Sequence, residues 1–282
     1  MDVNKEIELA WNFVNNTDRN VFLTGKAGTG KTTFLHKLKM TSLKRMVVVA
    51  PTGVAAINAR GVTIHSFFQM PFGPILPNEE LGRSSSFNRK FNKTKINIIK
   101  SLDLLVIDEI SMVRADLLDG IDKTLRRYKN RNLIFGGVQL LMIGDLQQLA
   151  PVVKENEWQL LKPFYKNAFF FSSLAFQRCN AVTVELKHIY RQDNPEFIRI
   201  LNEIRNNTLS QSSADELNKR YIPDFEPSED SGYIALTTHN NKAESTNIAE
   251  LAKLKGISQS YNAHIEGKFP EFSFPNNEEL ML

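Results

Sequence analysis

The sequence predicts an α/β fold built on a parallel β-sheet, and the alternation of two patterns along the chain indicates it. Short, almost wholly apolar runs occur four times, at residues 21–23, 46–50, 104–107 and 138–143. Each run is too short for a helix and too continuous for a half-exposed strand, so we interpret all of them as buried parallel strands. Helix-like stretches lie between several of them, as at residues 32–39 and 115–128. This alternation favours a parallel sheet covered by helices on both faces.

A polar or glycine-rich cluster follows each predicted strand. The clusters are GKAGTGKT at residues 25–32, PTG at 51–53, DE at 108–109 and GD at 144–145. Open α/β sheets bind their ligands beyond the carboxyl ends of the strands. We therefore expect the four clusters to converge on one cleft.

The bulk composition excludes several classes of protein. The single cysteine, Cys179, rules out an internal disulfide and is typical of a reducing compartment. No apolar run approaches the roughly 18 residues that span a bilayer, and the N-terminus lacks the pattern of a secretory signal. The formal net charge of +4 is a mild excess that suits a polyanionic partner. We expect a cytoplasmic protein without a membrane partner.

Residues 25–32 fit the phosphate-binding pattern G-x-x-x-x-G-K-[ST], with a predicted strand before them and a predicted helix after them. The glycines let backbone N–H groups turn toward a phosphate, and the helix N-terminus adds positive potential. We expect Lys31 to reach the β- and γ-phosphates of ATP and the Thr32 hydroxyl to bind Mg²⁺. The predicted nucleotide-binding residues of this segment are Gly25, Ala27, Gly28, Thr29, Gly30, Lys31, Thr32 and Thr33.

The acidic pair after the third predicted strand suits ATP hydrolysis. Asp108 is placed to hold Mg²⁺, directly or through water, and so joins Thr32 as a predicted metal ligand. Glu109 is placed to orient and deprotonate the attacking water as a general base. An acidic pair after a strand is often only structural, and the phosphate-binding pattern upstream is what favours the catalytic interpretation.

Two side chains further along the chain are candidates for sensing the γ-phosphate. Gln148 follows the fourth predicted strand, and its amide can both donate to phosphate and accept from water, with Asp145 as its orienting partner. The alternative is a loop amide that faces solvent. Arg191 could neutralise charge that develops on the γ-phosphate, although an ordinary surface ion pair would also explain it.

The residues alone make a weaker case for nucleic-acid binding. The hydroxyl and backbone N–H groups of residues 51–53 suit a phosphate of a bound strand. Residues 63–68 combine hydroxyls, an imidazole and aromatic rings, a mixture used for stacking on unpaired bases. The alternative is structural: Phe67 is expected in the core, and His65 suits a helix cap or the core as well.

Three regions depart from regular alternation. Residues 66–100 contain prolines, serines and a basic, Asn-rich tract, and we interpret them as an insertion between the second and third strands. Residues 169–171, three phenylalanines, are interpreted as a buried strand. After residue 192 we expect a helix containing Phe197 and Ile204, a second helix at 214–221 and a strand at 233–237, which together begin a second α/β unit.

Five blocks, in this order, resemble superfamily 1 helicases and, within them, the Pif family of 5′-to-3′ DNA helicases. They are FLTGKAGTGKTTFL, VVAPTGVAAINARGVTIHSFF, LLVIDEISMVRADLLDGIDKTLRRY, GGVQLLMIGDLQQLAPV and ELKHIYRQ. The stretch after Glu109 looks like the signature of that family. The resemblance covers about residues 5–250 and is highly specific.

The resemblance implies two RecA-like domains with ATP between them and single-stranded DNA across both. It implies a first domain at 1–65 and 101–190, a small inserted subdomain near the DNA path at 66–100, and an incomplete second domain at 191–282. Tyr190 would pack near the adenine, and Arg191 would reach the γ-phosphate. The implied DNA-binding residues are Pro51, Thr52, Gly53, His65, Phe68, Thr238, His239 and Asn240.

The resemblance also implies partners and origin. The DNA partners would be single strands, forked duplexes and G-quadruplexes, bound by a monomer that DNA can induce to dimerise. Two late motifs of the family and an upstream glutamine that contacts adenine are not found. The missing late motifs lead us to expect a fragment of a longer enzyme. A long N-terminal extension with targeting signals, as in eukaryotic members, is not found either, which favours a bacterial or phage origin and, in a bacterium, association with the nucleoid.

Three functions compete at this point. The leading one is an ATP-driven translocase on single-stranded DNA, with Lys31, Glu109, Gln148 and Arg191 as catalytic residues. A second is a truncated nucleotide- and DNA-binding module with little unwinding activity. A P-loop kinase is the third, and it would need an acceptor-binding lid where the helicase blocks lie.

Overall fold

The computed structural model describes residues 4–71, 73–77, 91–223, 225, 228, 231–254, 256, 259–264 and 279–281. The chain divides into two compact units, Met1–Ala214 and Asp215–Leu282. Part of the predicted insertion, residues 72 and 78–90, lies outside the described residues.

The first unit is built on a six-stranded sheet in the order β3-β2-β4-β5-β1-β6, with every neighbouring pair parallel. Its strands are β1 (Val21–Gly25), β2 (Met46–Ala50), β3 (Val62–Thr63), β4 (Leu104–Ile107), β5 (Gln139–Gly144) and β6 (Val182–Leu186). The four predicted strands are confirmed as β1, β2, β4 and β5. The strands β3 and β6 were not predicted, since one has two residues and the other is a half-exposed edge strand.

Helices flank this sheet and connect its strands. Those of the first unit are α1 (Lys5–Asn16), α2 (Lys31–Thr41), α3 (Gly53–Asn58), α4 (Ile64–Phe68), α5 (Lys93–Ser101), α6 (Ala115–Tyr128), α7 (Glu155–Leu161), α8 (Leu174–Arg178) and α9 (Pro195–Arg205). Helix α10 (Gln211–Asn218) crosses the boundary between the units and begins three residues earlier than predicted. Short 3₁₀ turns occur at Ile110–Met112, Ile134–Gly137 and Phe170–Ser172.

Alternate side chains of the strands enter two hydrophobic clusters, one on each face of the sheet. Leu105 and Ile107 belong to one cluster, whereas Leu104 and Val106 belong to the other, and all four are 0% exposed. Helix α2 buries Phe34, Leu35 and Leu38 in the second cluster. A sheet buried on both faces explains why its strands are nearly continuous apolar runs.

Described parts of the predicted insertion pack into the first cluster. Helix α4 contributes Phe67 and Phe68 to this cluster, and Met70 joins them two residues after the helix ends. Helix α5 contributes Ile99. The prediction that Phe67 is a core residue is therefore confirmed.

Helix α6 carries three buried aspartates that each secure a different segment. Asp116 pairs with Arg114 and accepts from the Ile75 backbone N–H at 2.8 Å. Asp119 accepts from the Tyr165 hydroxyl at 2.8 Å and from three groups at the start of α8. Asp122 accepts from the Phe135 backbone N–H at 2.6 Å, just before β5. Buried carboxylates persist only when paired in this way, so α6 ties neighbouring segments to the sheet.

Two sequence-based predictions of strands are wrong. Phe170 and Phe171 lie in a 3₁₀ turn, and Phe169 before them forms only an isolated antiparallel bridge with Arg114. Residues 233–237 adopt no regular structure, and Leu236 among them is 94% exposed. A single strand without a pairing partner is not stable.

The second unit contains α11 (Asn240–Leu251) and an antiparallel pair of strands, β7 (Ser260–Asn262) and β8 (Glu279–Met281). No residue of α11 is buried. Across both units, none of the described helices combines the length and apolarity needed to cross a membrane.

Candidate active site at the carboxyl edge of the sheet

The phosphate-binding loop connects β1 to α2 and depends on two glycines with left-handed backbones. Gly28 has φ 78° and Gly30, the residue before α2, has φ 91°. A Cβ atom on Gly28 would lie 2.7 Å from the Cβ of Arg191, so this glycine also permits a close approach. The buried Thr29 hydroxyl donates to the Lys26 carbonyl at 2.8 Å and holds the loop closed.

Lys31 begins α2 and turns its amine back into the loop. Its Nζ donates to the carbonyl oxygens of Gly25 at 2.5 Å and Lys26 at 2.9 Å. Burial lowers the pKa of Lys31, and the nearby carboxylates of Asp145 and Glu109 oppose this shift. The amine is thus held beside the loop by acceptors that a phosphate could replace.

The acidic pair lies directly after β4. Asp108 is 8% exposed, and burial, followed by the charge of Glu109, raises its pKa to about 6. Glu109 has φ 50° and ψ 45°, a left-handed conformation that costs on the order of 1–3 kcal/mol for a residue other than glycine. This turn directs the chain so that Glu109, but not Asp108, lines the pocket described below.

Gln148 is oriented by Asp145, as predicted. The Gln148 Nε2 donates to Asp145 Oδ2 at 3.0 Å. Asp145 also receives two hydrogen bonds from Arg205, at 2.6 and 2.7 Å. Burial opposes ionisation of Asp145, but hydrogen bonds from Arg205, Gln148 and the Gln147 backbone outweigh it and lower the pKa. Gln148 therefore has a partner that orients its amide, and the residue is also exposed, so the alternative of a loop amide that faces solvent stays open.

Tyr190 and Arg191 lie against the phosphate-binding loop. The Tyr190 backbone N–H donates to the Gly28 carbonyl at 2.8 Å, and the Tyr190 hydroxyl accepts from Asn4 Nδ2 at 3.0 Å. A Cβ atom on Gly30 would lie 3.8 Å from the Tyr190 ring. The segment after β6 therefore forms a wall of the nucleotide cleft.

These elements enclose one open pocket of about 310 Å³. All ten of its lining residues were predicted from the sequence as site residues: Ala27, Gly28, Gly30, Lys31, Thr32, Thr33, Glu109, Gln148, Tyr190 and Arg191. The other predicted nucleotide-site residues, Gly25, Thr29 and Asp108, are buried and do not line the pocket. The pocket combines cationic and amide groups with one carboxylate, which suits a polyphosphate and an attacking water.

The predicted metal ligands fit a magnesium ion. Thr32, which carries a hydroxyl, is exposed and lines the pocket, and Asp108 offers a largely buried carboxylate directly after β4. Magnesium favours oxygen ligands and commonly takes only one or two from the protein, with waters and substrate phosphates completing the shell. The described residues contain no group of three or more His, Cys, Asp or Glu that could hold a metal ion.

The predicted DNA-binding residues of the first unit have mixed placements. Thr52 caps α3 by accepting from the Ala55 backbone N–H at 3.2 Å, and Gly53 has open space around it. Pro51 and His65 are half-buried, and burial and Arg114 lower the pKa of His65.

Phe68 does not fit the role predicted for it. The side chain is 2% exposed and packs edge-to-face on Phe67 at 4.8 Å between ring centroids. Neither ring face is free to stack on a base, so we assign Phe68 to the hydrophobic core. Its aromatic neighbours were visible in the sequence, but its burial was not.

The three predicted DNA-binding residues of the second unit, Thr238, His239 and Asn240, are exposed at the start of α11. The Thr238 hydroxyl and His239 Nδ1 lie 2.9 Å apart. Exposed polar groups at a helix N-terminus are available to a phosphate.

Three residues of the cleft were missed by sequence reasoning: Asn4, Asn202 and Arg205. Asn202 Oδ1 accepts from Lys26 Nζ at 2.6 Å, and Arg205 pairs with Asp145. Their spacing of three residues on a predicted amphipathic helix was the one signal that could have placed both on a common face. Asn4 belongs to no motif, and only its contact with Tyr190 identifies it.

Comparison with known proteins assigns the family. The model of the PIF1-like helicase family matches residues 3–215. The ATP-dependent DNA helicase PIF1 of Danio rerio is 34% identical over 251 residues, covering 87% of this chain and 36% of the relative. The ATP-dependent DNA helicase Pif1 of Psychrobacter is 31% identical, covering 94% and 40%. The chain thus spans well under half the length of these curated relatives.

Solved structures of Pif1 helicases are also similar to this chain. Bacteroides Pif1 bound to single-stranded DNA is 44% identical with a TM-score of 0.89, covering 100% of this chain and 63% of that one. The Bacteroides Pif1 complex with ADP-AlF3 and single-stranded DNA has a TM-score of 0.90 at 44% identity and covers 100% and 64%. These neighbours share the RecA-like P-loop fold that was predicted. On its sequence, its sheet and its cleft, this chain belongs to the PIF1-like helicase family.

Proposed function

We propose that the protein is an ATP-dependent DNA helicase that moves 5′-to-3′ along single-stranded DNA and unwinds duplexes by hydrolysing Mg-ATP. The observation that carries this proposal is the pocket in which the phosphate-binding loop, Glu109, Gln148 and Arg191 meet. Relatives named as ATP-dependent DNA helicases and a relative solved with ADP-AlF3 and single-stranded DNA support it.

The cleft residues divide the work of hydrolysis. Lys31 leaves the carbonyls of Gly25 and Lys26 to bind the β- and γ-phosphates. Glu109 takes a proton from the attacking water, and Gln148 orients that water against the γ-phosphate. Arg191 neutralises the charge that develops during transfer, a role worth several orders of magnitude in related chemistry.

Magnesium would be held by Thr32 and Asp108, and when bound it supplies charge neutralisation at the β- and γ-phosphates. Buried Asp108 is suited to this role because a nearby dication offsets the cost of keeping its carboxylate ionised. Tyr190 is proposed to pack on the adenine.

DNA is proposed to pass Pro51, Thr52, Gly53 and His65 in the first unit and residues 238–240 in the second. A relative was solved at forked double-stranded DNA with two coordinating Pif1 helicases. We propose by analogy that a monomer tracks along single strands and that a fork brings two copies together. G-quadruplex DNA is proposed as a further substrate, and the nucleoid of a bacterial cytoplasm as the place of action.

The test is DNA-stimulated ATPase activity of the full-length protein. Lys31→Ala and Glu109→Gln should each lower kcat by about 100-fold or more, because each removes a group acting on the transferred phosphate or the water. Lys37→Ala, an exposed lysine on the same helix, is the matched control and should leave kcat unchanged. Full activity in either cleft variant would refute the assignment.

Direction and substrate need a second measurement. Duplexes carrying a 5′ or a 3′ single-stranded tail should be unwound only from the 5′ tail. A folded G-quadruplex placed after a 5′ tail should open in an ATP-dependent reaction. Preference for the 3′ tail would overturn the proposed polarity without touching the ATPase assignment.

A further inference from the structure

Helix α9 docks on the nucleotide cleft through two polar side chains on one face. Asn202 Oδ1 accepts from Lys26 Nζ of the phosphate-binding loop at 2.6 Å. One turn later, Arg205 contacts Asp145, the residue directly after β5. The helix therefore touches both the loop that would hold the phosphates and the segment that carries Gln148.

The contact between Arg205 and Asp145 is a buried, two-pronged ion pair. Arg205 Nη1 donates to Asp145 Oδ2 at 2.6 Å, and Nη2 donates to Oδ1 at 2.7 Å. The Asp145 side chain is 1% exposed and that of Arg205 is 22% exposed. A planar guanidinium fork fixes the rotation of the carboxylate as well as its position.

The same carboxylate holds Gln148. Asp145 Oδ2 accepts from both Arg205 Nη1 and Gln148 Nε2, while Oδ1 accepts from Arg205 Nη2 and the Gln147 backbone N–H. If Arg205 is removed, the buried carboxylate loses its compensating charge and is free to rotate. Gln148 would then lose its orientation, although nothing in the pocket itself had changed.

Arg205 does not line the pocket, whereas Gln148 does. Its hydrogen-bonded route to the pocket runs through Asp145, and its charge also acts at Lys31. Arg191, by contrast, reaches the pocket directly. Arg191 can therefore contact a bound nucleotide, whereas Arg205 contacts Asp145, which orients Gln148.

We propose that Arg205 is a positioning residue that acts through Asp145 to hold Gln148 in its hydrolytic orientation, so that ATP turnover depends on α9 being docked against the end of β5. This inference rests on the proposed ATPase function. Hydrolysis would then depend partly on helix α9, although Arg205 on that helix does not line the pocket.

A double-mutant cycle on the full-length protein tests the inference. We expect Arg205→Gln to lower DNA-stimulated kcat by about 10- to 100-fold, by analogy with the loss of residues that orient metal ligands, with KM for ATP changed by less than about 3-fold. Arg205→Lys keeps the charge but lacks the fork, and should also lose kcat. In a Gln148→Ala background, Arg205→Gln should cause little further loss, because residues that act as a unit are not additive.

Arg199→Gln is the matched control, since Arg199 lies on the same helix but its contacts are with Glu196, Glu203 and Ser213 rather than with Asp145. It should leave kcat unchanged. If Arg205→Gln does not fold, as its melting curve would show, the Arg205→Lys variant carries the cycle. Multiplicative losses in the double mutant, or a rise in KM with unchanged kcat, would overturn the proposal.

Lys31→Ala, assayed in parallel, distinguishes failure of the proposed ATPase function from failure of the proposed role of Arg205. If Lys31→Ala keeps full activity, the proposed ATPase function is wrong. If Lys31→Ala is inactive while Arg205→Gln is fully active, only the role of Arg205 is wrong.

Discussion

The two units of the chain differ in what surrounds their motifs. In the first unit, the strands that carry the phosphate-binding loop and the acidic pair are buried on both faces, and Leu23 and Leu104 are 0% exposed. In the second unit, residues 233–237 precede the Thr238-His239-Asn240 motif without forming a strand, and Leu236 is 94% exposed. Both regions carry family-like sequences, yet only one has a packed support.

This difference shows that a motif supplies the reactive side chains, whereas the elements packed around it hold those side chains in place. The phosphate-binding loop is held by β1, α2 and the contact of Tyr190 with Gly28. His239 is positioned by Thr238 and by the Thr237 hydroxyl, which accepts from its backbone N–H at 3.3 Å. Long-range support thus belongs to the first motif and local support to the second.

The largest expected contrast is in hydrogen exchange. Backbone amides of Leu104–Ile107 should exchange only on global unfolding, at an opening free energy of about 5–15 kcal/mol, because they lie in a central strand. Amides of residues 233–237 should exchange close to the unfolded rate. Hydrogen exchange read by mass spectrometry measures both, and equal protection would contradict the contrast between the units.

Truncation of matched leucines should separate the units by stability. Leu23→Ala removes a fully buried side chain and should lower the free energy of unfolding by about 2–5 kcal/mol. Leu236→Ala removes an exposed side chain and should change it by less than about 0.5 kcal/mol. Urea denaturation followed by circular dichroism gives both values. A cost above 1 kcal/mol at Leu236 would show that this residue is packed in solution.

The DNA motif of the second unit should affect affinity and leave the nucleotide site alone. His239→Ala should weaken binding of a fluorescent single-stranded oligonucleotide by about 3- to 10-fold, a typical effect of one lost phosphate or base contact. Affinity for a fluorescent ATP analogue should not change. His264→Ala, another exposed histidine of this unit, is the control. An equal loss in both variants would remove the specific role of His239.

The smallest expected effect concerns acid stability of the first unit. Arg45 donates to Asp103 through its side chain and its backbone N–H, and these bonds lower the pKa of Asp103 from 3.8 to about 2. Because the folded pKa is depressed, this stabilisation is present above about pH 4 and is lost as the pH falls toward 2. After discounting for solvent screening it amounts to about 0.5–1 kcal/mol. Asp103→Asn should abolish this component of the acid-induced loss, measured by denaturation at pH 5, 3.5 and 2.5.

The strands and the cleft were largely predictable because their signals are local. A buried parallel strand is a continuous apolar run, and the phosphate-binding loop needs glycines at fixed spacing before Lys31. The partner of Gln148 was predictable too, since Asp145 is three residues away. Edge strand β6 was not, because the polar residues at 183 and 185 of Val182–Leu186 make it resemble a loop as much as a strand.

Burial and long-range partners were not predictable. Phe68 and His65 are three residues apart in one helix, but Phe68 is in the core while His65 is half-buried. Nothing in the sequence distinguishes an aromatic ring that packs from one that stacks on a base. Arg205 is 60 residues from Asp145, so their pairing depends on where α9 lies.

The sequence by itself determined the candidate nucleotide site of this protein: the loop, the acidic pair and the glutamine are each set by residues within a few positions of one another. Only the tertiary structure decided which groups support that chemistry. The contact of α9 with Asp145 and the burial of Phe68 arise from contacts between distant segments, and residues 233–237 are exposed because no distant segment that the structure describes packs on them. Their free energies depend on desolvation and packing, which a linear pattern does not record.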